Sequence, residues 1–385
     1  MMNKTFTTLI LCCFVTFASC NQEENKLYVD YFTEINRVEN LISAGDYARA
    51  LQAYDSLFAE YKNHHYRDLH NATICAIKAE DWGKAYQLSE ELVLHGYELE
   101  HFEGPGLCDL KNNAGQWECF EAAYPKLRKK YEAGLDMPFR EQLTALYQED
   151  QAAASHHDIA LQDSVFYDLS IRLSDLIETN YFPAITINKD SIGQNAVFVM
   201  LRHYHGLYNR AQMAKENGNE SPYADREFRI RDLTDTAFRK GLMRPDIYVD
   251  ITTYWDASNP YGEPMIDLDY EKESVSLIMY NMTEEKREEA NSRRAAIGLP
   301  ELGTLTEGFI EGTWWRHYSF KEIKEAWMNC DTCETGLDYV KISGAIQQKV
   351  MIEYYQDIPA TGFILYDYGS INKTYARNSH LYGYK

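Results

Sequence analysis

Five polar side chains spread along this chain, Asp150, His203, Tyr261, Arg293 and Arg294, are of the types that build an acid–base site. A carboxylate beside a histidine orients the imidazole and raises its pKa, which makes a general base. A tyrosine and an arginine can hold an anion as it develops. The same residues also suit structural work. Asp150 can cap a helix or pair with an arginine, His203 can be a core histidine with a satisfied ring, Tyr261-Gly262 can be a turn, and Arg293-Arg294 can anchor the next helix. Metal binding is a weaker reading. His203 and His205 lie two apart, which on a helix turns them to different faces, and His64-His65 and His156-His157 are adjacent. His-Glu-x-x-His, the glycine-rich phosphate loop and the Gly-x-Ser-x-Gly elbow are all missing from the sequence. No metal and no cofactor are expected, and the pattern leans away from the common enzyme classes.

The thiols offer a second kind of chemistry. Of the eight cysteines, Cys330 and Cys333 form the close pair. A local disulfide is the leading expectation. A thioredoxin-like site needs a preceding strand, whereas Ser319 to Met328 reads as helix, and zinc would want a second pair at similar spacing. Cys75 reads as a small buried apolar residue. The spacing leaves open whether Cys108 and Cys119 pair.

The chain start decides where such chemistry would sit. Lys4 precedes an apolar run, Phe6 to Phe17, shorter than the about 20 residues of a membrane span and organised as an export signal. Phe17-Ala18-Ser19-Cys20 resembles the lipobox of bacterial lipoproteins, with phenylalanine where leucine is usual. The resemblance implies a signal peptide over 1–19 and a mature chain held in a membrane by lipid on Cys20. Asn21-Gln22-Glu23-Glu24 resembles the surface-export signal of Bacteroidetes lipoproteins, and serves equally well as a charged linker. Asp55-Ser56-Leu57, Asp163-Ser164-Val165, Asp190-Ser191-Ile192 and Asp235-Thr236-Ala237 resemble the O-glycosylation sequon of that phylum. An outer-membrane lipoprotein, periplasmic or surface-exposed, is therefore expected.

Helical patterning begins near Leu27 and repeats. Gly45-Asp46-Tyr47-x-x-Ala50, Glu80-Asp81-Trp82-x-x-Ala85 and Gly115-Gln116-Trp117-x-x-Phe120 place their aromatic residues 35 apart. Apolar stripes at helical spacing follow the first two turns (Leu51, Tyr54, Leu57, Phe58; Leu88, Leu92) and precede them (Ile35, Val38, Leu41, Ile42; Leu69, Ala72, Ala76, Ile77). These residues resemble the second half of the tetratricopeptide consensus, a helix-turn-helix repeat of about 34 residues. The small alanine would let two helices cross closely while the aromatic fills the gap to the next repeat. Gly104-Pro105-Gly106 would break the first helix of the third unit, which reads as a capping repeat. Such arrays bind a peptide or protein partner on a concave face; two and a half repeats can also merely buttress the next domain.

From Met137 to Leu302 the pattern is again helical. Tyr167, Leu169, Ile171, Leu173, Leu176 and Ile177 mark an amphipathic helix, and Ser191 opens another that runs through His203. Asp150-Gln151, Gly193 with His203, Tyr261-Gly262, and Arg293-Arg294 with Gly298-Leu299-Pro300 follow one another in an order that resembles an uncharacterised bacterial helical domain family. Here Arg202 replaces a usual glutamine and Glu263 a threonine. That family implies a helical fold and no assigned activity.

After Thr306 the text turns aromatic, with Trp314-Trp315-Arg316-His317-Tyr318 and Tyr354-Tyr355. Val340–Glu353 reads as helix, Phe363–Tyr366 as a short strand, and Ile371 to Lys385 as loop. Aromatic clusters suit either core packing or sugar binding. The net charge of −21 repels nucleic acid, which wants a basic footprint, and keeps a tethered protein soluble.

The expectation is a mostly α protein: signal peptide 1–19, superhelical repeats 20–130, an irregular helical domain 131–305, and an aromatic-rich extension 306–385 with little β structure. Its expected work is binding or scaffolding of a protein or peptide partner in the envelope. The alternatives are a hydrolase-like enzyme using His203 and Asp150, and a structural envelope component.

Overall fold

A computed structural model describes residues 28–301, apart from 105, 157, 180–181, 183–187, 190, 257, 259, 263–264, 270–273 and 279–283. Beyond them it describes the backbone of 309–310, 313–319 and 375–377. The fold is mostly α. Helices α1 (Val29–Ser43), α2 (Tyr47–Glu60), α3 (Tyr66–Lys78) and α4 (Trp82–Leu94) pack each against the next, and α5 (Ala114–Ala133) follows on α4. The repeated turns do what their residues predict. Asp46 and Asp81 cap α2 and α4 by accepting from the backbone N–H of Arg49 and Lys84. Ala50 and Ala85 are fully buried where the helices cross.

In the third unit two 3₁₀ turns, Leu99–Glu103 and Leu107–Asn112, take the place of a first helix. Gly106 between them has φ of +78°, a conformation only glycine adopts without strain.

The second body is built by α6 (Met137–Ala154), α7 (Ile159–Thr179), α8 (Ser191–Glu216), α9 (Arg229–Arg239) and α10 (Pro245–Thr252). Its core gathers Phe139, Leu143, Leu169, Leu173, Met200, Tyr204, Ile230 and Ile251. The first core runs to Leu127 and the second begins at Phe139, and the two meet again later in the chain. Phe238, Val249 and Leu299 belong to the core of the repeats, and Tyr248 touches both. Phe32 of α1 stacks on Phe238 with ring centres 6.1 Å apart. Asn36 Nδ2 donates to the carbonyl of Gly298 at 3.0 Å and Asn63 Nδ2 to that of Lys240 at 2.9 Å. Every residue of α3 from Arg67 to Ile77 is buried, on all sides of the helix.

Several local expectations are corrected. On α7 the buried positions are Phe166, Leu169, Ser170, Leu173, Ser174, Leu176 and Ile177, whereas Ile171 is exposed. Within the stretch read as helical to Leu302, strands β1 (Met265–Asp269) and β2 (Ser274–Ile278) form an antiparallel hairpin before α11 (Glu284–Ala295). β2 then pairs antiparallel with β4 (Thr313–Ser319), Val275 facing Tyr318. β3 (Phe309–Ile310) lies outside β4 and β5 (Tyr375–Arg377) runs parallel to β1, giving the order β3-β4-β2-β1-β5. Ser319, read as the start of a helix, ends β4, and the terminal segment read as loop contains β5. Residues 1–19, Cys20, the Cys330–Cys333 pair, and the segments 340–353 and 363–366 lie outside the described residues. No described helix is long and apolar enough to cross a membrane.

Candidate functional site

Helix α6 starts at Asp136, whose side chain accepts from the N–H of Phe139 at 3.0 Å. Its buried stripe is Phe139, Leu143, Leu146, Asp150 and Ala153. Asp150 thus occupies a position where the spacing calls for an apolar residue. A buried carboxylate needs partners, and Oδ2 finds two: His203 Nδ1 at 2.8 Å and Gln151 Nε2 at 2.9 Å. Its Oδ1 makes no hydrogen bond of regular geometry. The neighbouring Tyr204 phenol is held well above its usual pKa, first by burial and then by the Asp150 charge.

Helix α8 presents His203 to this carboxylate, and Phe166 of α7 stacks on the imidazole at 4.7 Å and 17°. The carboxylate accepts, so Nδ1 carries a proton, and in the neutral ring Nε2 is the acceptor nitrogen. The His203 side chain is 19% exposed and that of Asp150 fully covered. A carboxylate-oriented, partly exposed imidazole is therefore present. His205, two residues on, turns inward as the helical period requires: it is buried and bonded through Nε2 to the Thr234 hydroxyl at 3.2 Å. Burial pushes its pKa down to about 3, with the Arg231 charge adding to the effect, so it stays neutral at any ordinary pH.

The other candidates do not join this pair. Arg294 is buried, and its guanidinium donates to the carbonyls of Pro300 at 2.6 Å and Tyr261 at 3.1 Å. Arg293 donates to the carbonyl of Pro260 at 3.2 Å. The Tyr261 ring lies against the core of the repeats, whereas Phe166, which stacks on His203, belongs to the core of the second body. Burial and then the Asp235 charge push the Tyr261 hydroxyl up, while Arg293 pulls it down. Gly298, with φ of +75°, lets the chain after α11 approach α1 so closely that an added Cβ would stand 2.7 Å from Phe32 Cβ. The Arg-Arg and Gly-Leu-Pro residues therefore staple two turns to each other and to α1.

Sequence reasoning missed a second polar cluster. Arg67 is fully buried on α3 and pairs through Nη2 with Glu39 and through Nε with Asp68 at 3.5 Å. Tyr31 donates its hydroxyl to Asp68 at 2.7 Å. Burial raises the Asp68 pKa against the opposing pull of Arg67, Tyr31 and Arg244. The available signal was Arg67-Asp68 about two turns before an apolar stretch, Ile74-Cys75-Ala76-Ile77, that covers every face of its helix. Cys75 is buried as expected, and its thiol is pushed up by that burial. Cys108 and Cys119 are free thiols. Among the described residues no group of three His, Cys, Asp or Glu side chains is placed to hold a metal ion.

No protein-family model matches the sequence, and searches of curated proteins and of solved structures returned no match.

Proposed function

We propose that this protein is an outer-membrane lipoprotein of Bacteroidetes type, tethered through Cys20, that works as a binding module with its ligand face on the second helical body around His203. In this reading the repeats brace the binding body. Their first helix, α1, is packed against Phe238, Gly241 and Gly298 of the same chain, which moves the proposed binding surface off the repeat array. The order of landmarks supports membership of the uncharacterised helical domain family. Two of those landmarks, Asp150 and His203, meet in space.

The observation that carries binding over hydrolysis is where the arginines go. A dyad hydrolase needs uncompensated donors for the developing anion beside its base, but the guanidinium groups of Arg293 and Arg294 are bonded to carbonyls at 260, 261 and 300, and those of Arg202 and Arg210 on the helix of His203 already face the carboxylates of Asp250 and Asp163. The Asp150–His203 hydrogen bond supports hydrolysis as a second reading. The two are separated by assaying esters, amides, glycosides and phosphoesters with wild type and His203→Ala. Binding alone leaves every rate unchanged; a drop of about 10²–10⁴-fold in any one rate assigns His203 as a general base and overturns the binding reading. Reachability of the face is read by carbethoxylation followed by mass spectrometry. His203 is expected to react and buried His205 to stay unmodified.

The anchor has its own test. Cys20→Ser is expected to move the protein from the membrane to the soluble fraction, because losing the acyl chains removes about 0.8 kcal/mol for each buried methylene. A variant that still sediments with membranes like wild type rules the lipid anchor out.

A further inference from the structure

The face of α8 that carries His203 holds a second arrangement that the Asp150–His203 pair does not use. Trp255, just beyond α10, has φ of +64°, a left-handed conformation that a bulky residue adopts only when its surroundings impose it. The residue nevertheless remains 38% exposed. Three features hold this corner on α8. Gly206 leaves the notch it needs: an added Cβ would stand 2.7 Å from both Trp255 Cδ1 and Tyr254 Cδ1. Asn209 Nδ2 donates to the carbonyls of Thr252 and Tyr254, each at 2.9 Å. The Tyr254 and Trp255 rings then meet edge to face, 5.7 Å apart at 72°. A strained backbone that keeps a large ring half in water contributes little to folding, since the favourable term is apolar area removed from water. That combination is typical of a functional position.

The surroundings define what fits. At about 100° per residue, positions 202, 203, 206 and 210 share one face of α8. Arg202 lies 4.3 Å over the Tyr254 ring and 3.8 Å from Asp250. Arg210 lies 5.5 Å over the Trp255 ring and 2.5 Å from Asp163. Each cation already has a carboxylate, so the face offers no excess positive charge to an anion, and a chain of net charge −21 repels one at longer range. A purely apolar ligand would cover these polar groups without bonding them, which costs free energy.

We propose that this face is a subsite for a neutral saccharide. The solvent-facing part of the Trp255 ring receives the flat C–H side of a sugar ring, and the fixed polar groups of Arg202, Arg210 and His203 Nε2 bond its hydroxyls. This assignment names the ligand class of the binding reading above and rests on it.

The test uses the full mature protein in detergent and neutral hexasaccharides of glucose, mannose, galactose and xylose at millimolar concentration. The readout is tryptophan emission, with Trp255→Phe subtracted to isolate one of six indoles. At least one hexasaccharide is expected to shift the Trp255 component. Isothermal titration should show its affinity about tenfold weaker in Trp255→Ala and largely kept in Trp255→Phe, which retains an aromatic face. No shift with any of them, or a shift that survives Trp255→Ala, overturns the saccharide assignment. The binding reading is judged separately with tetramethylammonium and a neutral tyrosine-rich peptide. If either binds with loss in His203→Ala, the face binds and only the ligand class was wrong; if neither does and the saccharides also fail, the binding reading falls with it.

Discussion

Replacing Gly241 by alanine is expected to cost about 3 kcal/mol, although the change adds one methyl group. Gly241 follows α9 with φ of +68°, and a Cβ there would lie 2.2–2.5 Å from the Tyr28 ring. That ring cannot step aside. It packs against Tyr31 and Tyr61 with centres 5.7 and 5.1 Å away, and its hydroxyl accepts from the N–H of Asn63 at 2.9 Å. The substitution must therefore both strain its own backbone and push α1 off the second body. In a chain of 385 residues the loss corresponds to a fall in melting temperature of roughly 4 °C. Gly45→Ala is the internal control. Gly45 has φ of +76° and nothing within 4 Å of the added Cβ, so it suffers the backbone term alone, about 1 kcal/mol. Differential scanning calorimetry of the two variants decides the matter. Equal losses would mean that the Tyr28–Gly241 contact does not bind the repeats to the second body.

That contact also shows what the sequence makes legible. The starts of α2 and α4 can be read from Asp46-Tyr47 and Asp81-Trp82, because an N-cap and an aromatic are local signals repeated at a fixed period. The broken third unit can be read from Gly104 and Gly106 for the same reason. The buried face of α7 misleads, because Ser170 and Ser174 go inside by bonding back to the carbonyls of Tyr167 and Ser170 at 2.7 Å, while Ile171 stays out. The hairpin at 265–278 escapes detection because two five-residue strands carry too little period to compete with the helical text around them. At the site, Asp150 and His203 are legible as chemical types, and an acid on the apolar stripe of α6 demands a partner. What hides is the choice made by Arg293 and Arg294. A guanidinium serves an anion or a carbonyl equally well, and only the tertiary approach of residues 260–261 to α11 decides which. The docking of α1 on Phe238, Gly241 and Gly298 is a contact between residues some two hundred positions apart, which no local pattern encodes.

The largest stability effect is expected at Arg67. Arg67→Met leaves the apolar volume nearly filled but strands the carboxylates of Glu39 and Asp68 inside the core, and breaking a buried pair in this way costs about 3–5 kcal/mol. The sign of its pH dependence identifies the mechanism. Burial already raises the Asp68 pKa, with Arg67 the strongest opposing charge, so removing Arg67 raises it further. A carboxyl whose folded pKa lies above its unfolded value folds best when protonated. Its penalty is full at pH above the folded pKa and vanishes below the unfolded one, near 3.8 for Asp68. The deficit of Arg67→Met against wild type should therefore shrink as the pH is lowered from neutrality toward 3.8 in urea denaturation. A deficit independent of pH would assign the loss to packing instead. Adding Glu39→Gln and Asp68→Asn to Arg67→Met should recover most of the stability, because neutral amides no longer require a cation and the Tyr31 hydroxyl can still donate to an amide carbonyl at position 68. Recovery would show that Arg67 neutralises its neighbours without adding net stability, as expected for a helix whose every face has been covered by its own chain.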